Sequence, residues 1–178
     1  TIKPKVKMKI LETERLYLRE MTPNDAENTY RLNLDWENIK YTGDIPFESI
    51  QEAKVFLENY THYKTYGFGR WAVIEKGSNE FIGWCGLKFT PKLDEYDIGF
   101  RLFKKHWNKG IASEAAKACV DYGFTKIGLT RIVGRAMIEN VGSIRVLEKI
   151  GGVYKEEYNF EGESGVIYEI KNRNANKT

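Results

Sequence analysis

The sequence predicts an α/β (α+β) layer fold, a mixed sheet covered by helices on both faces. Three observations carry this. Segments with apolar residues at period two are interleaved with segments at helical spacing. The helical segments open on capping residues and close near glycine. The elements then run strand, two helices, three strands, helix, strand, helix, two strands, an order that builds helices onto both sides of one sheet.

Arg15-Leu16-Tyr17-Leu18-Arg19 alternates and reads as the first strand. Thr22-Pro23-Asn24-Asp25 starts a helix: threonine can cap, proline suits the first turn, and aspartate favours the positive end. Ser49-Ile50-Gln51-Glu52 has capping-box spacing, and Ala53, Phe56, Leu57 and Tyr60 form the apolar stripe of a second helix. Arg70–Ile74 and Phe81–Leu87 are strands joined around the turn Lys76-Gly77-Ser78-Asn79. A strand from Tyr96 to Phe103 leads through a lysine-rich, glycine-containing turn into a helix from Ile111 to Phe124. Arg131–Ala136 is another strand, and Ser143–Ile150 a short helix ended by Gly151-Gly152. Val153–Phe160 and Val166–Ile170 close the chain as a hairpin around Glu161-Gly162-Glu163.

A length of 178 residues suits one domain, expected over residues 11–172. Residues 1–10, with Lys3, Lys5, Lys7 and Lys9, read as a basic tail or edge strand, and residues 173–178 as a C-terminal tail. With 42% hydrophobic and 13% aromatic residues, the composition is that of an ordinary globular protein. A net charge of +3, from 28 basic and 25 acidic residues spread along the chain, argues against direct nucleic-acid binding, which needs a clustered basic face. Cys85 and Cys119 are too few and too far apart for a disulfide framework or a cysteine zinc site. No apolar run approaches the roughly 20 residues of a membrane span, and no signal-peptide pattern is present. The expectation is a cytoplasmic protein with reduced thiols, no metal and no membrane contact, acting as a monomer or homodimer.

The chemistry concentrates in Phe103-Lys104-Lys105-His106-Trp107-Asn108-Lys109-Gly110-Ile111-Ala112-Ser113-Glu114-Ala115. A helix begins there after a strand, and its first amides have no partner within the helix while its dipole puts positive charge at that end. Gly110 and Ala112 leave the backbone approachable, and Lys104, Lys105 and Lys109 attract anions. The same composition also serves an ordinary strand-to-helix turn, and neither the dinucleotide nor the P-loop glycine pattern occurs.

Trp107-Asn108-Lys109-Gly110-Ile111-Ala112 resembles the acyl-coenzyme A signature [QR]-x-x-G-x-[GA] of the GNAT family of N-acetyltransferases, with Trp107 at the position usually Gln or Arg. The longer pattern W-x-K-G-x-A-[ST]-E-A is similar to the branch containing the ribosomal-protein N-terminal alanine acetyltransferases. Glu14-Arg15-Leu16 with Leu18-Arg19, Asp97-Ile98-Gly99-Phe100, and Asn140, Ser143 and Arg145-Val146-Leu147-Glu148-Lys149-Ile150-Gly151 resemble further segments of that branch, in order, from Leu11 to Ile170. Two departures from the wider family stand out. Leu147 occupies the position of its frequent tyrosine acid, and Gly151-Gly152 that of a common Gly-Phe.

The resemblance implies a mostly antiparallel central sheet of about seven strands with one splayed parallel pair. It implies acetyl-coenzyme A with its pyrophosphate on the amides of Asn108, Lys109, Gly110, Ile111, Ala112 and Ser113, beside Trp107. The pantetheine arm would lie along the strand through Phe100, Leu102 and Phe103, with Asn140 either a further contact to it or to the substrate amide, or a cap of the helix that follows. Splayed strands expose unpaired amides and carbonyls that such an arm can satisfy as an added strand would. The implied reaction is direct attack of an amine on the thioester, with a backbone amide near Phe100–Leu102 polarising the carbonyl. Ser143 is the implied proton donor to the thiolate, although a serine there also suits a helix cap.

Asp97 is the candidate base, with Glu95 on the same strand face and Glu157 and Glu169 as further possibilities. An ion-paired strand residue is the alternative reading of Asp97. His62 and His106 suit a helix face and a polar turn. Trp36, Tyr41, Thr42, Phe47 and Trp84 are candidates for the acceptor pocket, with Trp36 also readable as core. The acceptor is then an amine, either a peptide N-terminus or a small molecule. A non-catalytic acyl-coenzyme A sensor is the alternative from another class.

Overall fold

The computed structural model describes residues 8–175, so Lys3, Lys5 and Lys7 and the last three positions lie outside the described residues. Among these, eight strands form one sheet: β1 (Lys9–Glu12), β2 (Leu16–Glu20), β3 (Arg70–Glu75), β4 (Phe81–Thr90), β5 (Glu95–Leu102), β6 (Arg131–Met137), β7 (Val153–Phe160) and β8 (Glu163–Lys171). Six α-helices accompany them: α1 (Ala26–Leu34), α2 (Trp36–Ile39), α3 (Ile50–Glu58), α4 (His62–Tyr66), α5 (Ile111–Tyr122) and α6 (Val141–Lys149). The strand order is β1-β2-β3-β4-β5-β6-β8-β7, and every neighbouring pair is antiparallel except β5 with β6. The eighth strand is β1, which pairs at the edge with β2. Two helices were expected before β3 and four are present, because the polar segments around Asp35 and Thr61 each close one short helix and open another.

Alternation along the strands sorts side chains to two faces. One face carries Trp71, Val73, Cys85, Leu87, Ile98, Leu102, Ile132 and Tyr168, packed against Ala115, Ala116, Cys119 and Val120 of α5 and Leu147 of α6. The small residues of α5 let that helix lie close to the sheet. On the opposite face Ala72, Ile74 and Phe81 meet Leu32 of α1, which also packs its Ala26 against Ala53 and Leu57 of α3. Helices therefore cover both faces.

The helix starts differ in detail from the sequence pattern. Pro23–Asp25 is a 3-10 turn before α1. Thr22 acts there through its backbone: its carbonyl accepts from the Asp25 amide at 2.8 Å, and its own amide donates to Asp25 Oδ2 at 2.8 Å. Asp25 also takes two bonds from the Arg19 guanidinium, at 2.8 and 2.9 Å, so this buried pair ties α1 to β2. Ser49 caps α3 as expected, its Oγ accepting from the Glu52 amide at 3.1 Å. His62 is a brace: its Nε2 accepts from the Phe89 amide at 3.1 Å, which leaves the proton on Nδ1, 2.7 Å from the Phe68 carbonyl oxygen.

Candidate active site

The turn before α5 is built by its backbone. Asn108 and Gly110 both take left-handed conformations, with φ of 57° and 74°. Gly110 is the N-cap of α5 and has no side chain to bond the amides beyond it. A Cβ on Gly110 would meet only Arg15 Nη2 at 3.5 Å and Lys149 Nζ at 3.9 Å. The approach is therefore open and flanked by two cations. Arg15 holds the turn in place, with Nη1 on the Lys109 carbonyl at 2.8 Å and Nε on Glu114 Oε2 at 2.6 Å. Glu114 Oε1 accepts from Thr13 Oγ1 at 2.6 Å and from the Arg15 amide at 2.9 Å. Burial alone would raise the Glu114 carboxyl, but these bonds outweigh it and hold its pKa below the ordinary value.

Residues in this segment divide between the site and its support. Ile111 is buried in the core, so only its amide faces outward, and Trp107 turns its ring inward with Nε1 on the Leu102 carbonyl at 2.9 Å. Ala112 packs partly against the same core, and Asn108 and Lys109 are exposed. His106 is 7% exposed and its Nε2 has no partner among the described residues. Burial pushes its pKa down, with Lys105 acting in the same sense.

Between β5 and β6 one register pair is formed, Asp97 with Val133, whereas β4 and β5 share eight. Beyond that pair the two parallel strands diverge. Phe103 donates its amide to Ile82 of β4 at 3.0 Å, so by alternation Leu102 and Phe100 turn their backbone groups away from β4, into the gap. The side chain of Leu102 is buried with the α5 face, Phe100 packs against it, and Phe103 contacts Phe81 on the other side.

Helix α6 rides over β6. Leu147 lies so close to Gly134 that a Cβ there would be 2.2 Å from its Cδ2. Ser143 is one turn before Leu147 on the same face, towards the diverging end of β6. The helix starts at Val141, two residues earlier than the pattern suggested, and Asn140 is its cap, with Oδ1 accepting from the Ser143 amide at 3.2 Å. Asn140 thus takes the capping role considered for Ser143, whose hydroxyl makes no hydrogen bond among the described residues. Gly152 takes the place of the apolar anchor: its amide meets the Leu147 carbonyl at 2.8 Å, and a Cβ would lie 2.6 Å from that oxygen.

On the α1 and α3 face, charged side chains from four strands meet beside the gap. Asp97 Oδ1 accepts from Arg70 Nη2 at 2.5 Å, both partly buried, which is the ion-paired reading of Asp97. Glu95 accepts from Arg131 at 3.3 Å and also from Arg135. Arg131 bonds Glu169 as well, and this bond holds the Glu169 carboxyl below its usual range. Arg101 donates to Asn33 Oδ1 and to Asp44 Oδ2, both at 2.6 Å, tying the stretch after α2 to the sheet. Trp84 lies between the Arg70 and Arg101 guanidinium groups, at 5.5 and 5.3 Å from its ring centroid.

The acceptor candidates scatter more than expected. Trp36 is 66% exposed, which overturns its reading as core: it is the first residue of α2, and its ring has no partner there. Tyr41 is half-buried under Lys40 Nζ, 5.0 Å from its ring, and Thr42 Oγ1 is on the Ile39 carbonyl at 2.8 Å. Phe47 meets Phe56 in a tilted ring pair at 5.5 Å and belongs to the α1–α3 cluster. Glu157 is exposed on the outer strand β7. The four arginines of the α1 and α3 face and the Arg15–Glu114 anchor were not singled out from sequence. Their only signal was spacing, as in Arg131 and Arg135 on one face of a strand.

The residues present fit coenzyme A: uncapped helix amides in an open turn, flanking cations, and a strand edge with unpaired backbone groups. The described residues contain no helix long and apolar enough to cross a membrane. The family model of the acetyltransferase (GNAT) domain matches residues 15–153. An uncharacterized N-acetyltransferase, p20, of Bacillus licheniformis is 35% identical over 145 residues, 80% of this chain and 82% of that protein. The crystal structure of a GNAT-family acetyltransferase from Bacillus anthracis superposes with a TM-score of 0.78 at 29% identity, covering 90% of this chain and 97% of the other. A ribosomal-protein-S5-alanine acetyltransferase from Vibrio fischeri shares the fold, with a TM-score of 0.76 at 20% identity, over 92% and 96% of the two chains. The chain belongs to the GNAT family and is an N-acetyltransferase that moves an acetyl group from acetyl-coenzyme A to an amine.

Proposed function

We propose that the acceptor is an α-amine, at a peptide or protein N-terminus or on a small α-amino compound. One observation carries this: the carboxylates facing the gap are already paired with arginine, Asp97 with Arg70, Glu95 with Arg131 and Arg135, Glu169 with Arg131, and Asp44 with Arg101. A face neutralised in this way offers nothing to hold a polycation and no spare carboxylate to strip a strongly basic amine. An α-amine with a pKa of about 7.8 is roughly one-third neutral at about pH 7.5, whereas an alkylamine near 10.4 is about one part in a thousand neutral.

Acetyl-coenzyme A supplies the activated acetyl group. The amides of Ile111, Ala112 and Ser113 hold its pyrophosphate, with Arg15 and Lys149 beside them. The backbone of Phe100 and the amide of Leu102, whose carbonyl is taken by Trp107, receive the pantetheine arm and donate to the developing oxyanion. Ser143, its hydroxyl uncommitted, hands a proton to the departing sulfur and recovers one from the protonated nitrogen of the tetrahedral intermediate. The amine attacks from the α1 and α3 face, past Trp84. Asp97, held by Arg70, serves as an acceptor of a hydrogen bond from the amine or a water. Two buried thiols, Cys85 and Cys119, 3.7 Å apart and unlinked, fit the reducing cytoplasm.

The test is thiol release from acetyl-coenzyme A with a panel of short peptides, a peptide with a blocked N-terminus and an internal lysine, and a polyamine. Turnover with free N-termini alone is expected. Preference for the blocked lysine peptide or the polyamine would overturn the reading.

A further inference from the structure

The wedge between β5 and β6 needs something to close its narrow end, because a single register pair is a weak hinge for two strands forced apart above it. The Glu95 carboxylate supplies the closure. It sits two residues before Asp97 on β5, and its side chain is 12% exposed. Both its oxygens are used across the junction: Oε2 by Arg131 Nη1 at 3.3 Å, and Oε1 by Arg135 Nη2. Arg131 and Arg135 stand on β6 either side of Val133, the residue paired with Asp97. Arg135 lies in the diverging half and reaches back to Glu95, so its side chain spans the vertex. Arg131 is in turn anchored to Glu169 on β8, the next strand outward. The bonds therefore form a chain from β5 through β6 to β8, beside the point where the sheet opens.

We propose that Glu95 is a positioning residue: its bridge to Arg131 and Arg135 sets how far β5 and β6 part, and so how well the gap grips the pantetheine arm of coenzyme A. It acts through the strands, each of its oxygens being held by an arginine of β6. The nucleotide half of coenzyme A, bound at the start of α5, lies outside its influence.

That separation gives the test. Calorimetric binding of coenzyme A and of its nucleotide half, adenosine 5′-diphosphate 3′-phosphate, is compared for the wild type, Glu95→Gln and Arg135→Gln. The two variants break the bridge from opposite strands, and folding is checked by thermal melting. Coenzyme A is expected to bind about tenfold more weakly to each variant that folds, within the usual range for coupling between separate sites. The nucleotide half should bind as it does to the wild type. Unchanged coenzyme A affinity in a folded variant, or equal loss of both ligands, would overturn the proposal.

Discussion

The two sides of the β5–β6 gap are made from different materials. On the α5 and α6 side the site is backbone: uncapped amides after Gly110, strand groups at Phe100 and Leu102, and small residues that let helices approach. On the α1 and α3 side it is long charged side chains from β3, β5, β6 and β8, each locked to a partner. A backbone site suits a ligand whose shape never changes. A side-chain site can be retuned for a new acceptor by exchanging one charged partner for another, with the strand backbone left as it is. The contrast predicts that substitutions on the first side act on cofactor binding and chemistry, and that those on the second act on acceptor choice, except at the Glu95 bridge, which acts on the gap itself.

The largest effect is expected at Ser143. Ser143→Ala should lower turnover about a hundredfold while coenzyme A affinity and melting temperature stay close to wild type; stopped-time thiol release reads the first and calorimetry the second. Turnover near wild type would remove the proton-donor role. Next comes Gly110→Val. A branched side chain at positive φ strains the turn by about 1–3 kcal/mol and blocks the amides, so coenzyme A binding should weaken by tenfold or more, measured by calorimetry. Unaltered affinity would mean that the pyrophosphate sits elsewhere.

Across the sheet, Arg101→Gln frees the stretch around Asp44 and uncovers one side of Trp84. It should raise the acceptor KM about fivefold, the pair with half-exposed Asp44 being worth ~1 kcal/mol, with kcat and coenzyme A affinity little changed. A drop in coenzyme A affinity instead would erase the division of labour between the sides.

The smallest effects concern pH. The Glu114 carboxyl is held below its ordinary value of 4.5, so its contribution to stability is complete above that pH and is lost as pH falls through the lowered value. Glu114→Gln should cost about 1–2 kcal/mol near neutrality, and the gap to wild type should narrow in acid. His106 is also depressed from its ordinary value of 6.5. Below that pH the unfolded chain takes the proton first, so wild-type stability declines, and His106→Asn should flatten that limb of the melting curve.

Much of the cofactor side was legible in advance because it depends on local patterns. A glycine that must adopt positive φ, a helix start without a capping side chain and a short-period strand are all visible within a dozen residues. Capping was legible only to within a turn: Asn140 and Ser143 are both good caps, and the seat of Leu147 on Gly134 fixed where α6 begins. Trp36 was misread as core because hydrophobicity says nothing about which side of a four-residue helix meets the protein. The acceptor side was almost silent. Arg70, Asp97, Glu95, Arg131 and Arg135 are ordinary strand residues until the sheet order puts β5 beside β6.

The sequence alone thus determined most of the elements, their order and the glycine turn that opens α5, since periodicity and backbone preference are properties of neighbouring residues. Only the tertiary structure decided which carboxylates are paired, where the sheet parts and what closes its vertex. Those outcomes rest on contacts between residues from 27 to 57 positions apart, such as Arg70 with Asp97 and Arg101 with Asp44, and the energy of such contacts exists only once the chain has brought the elements together.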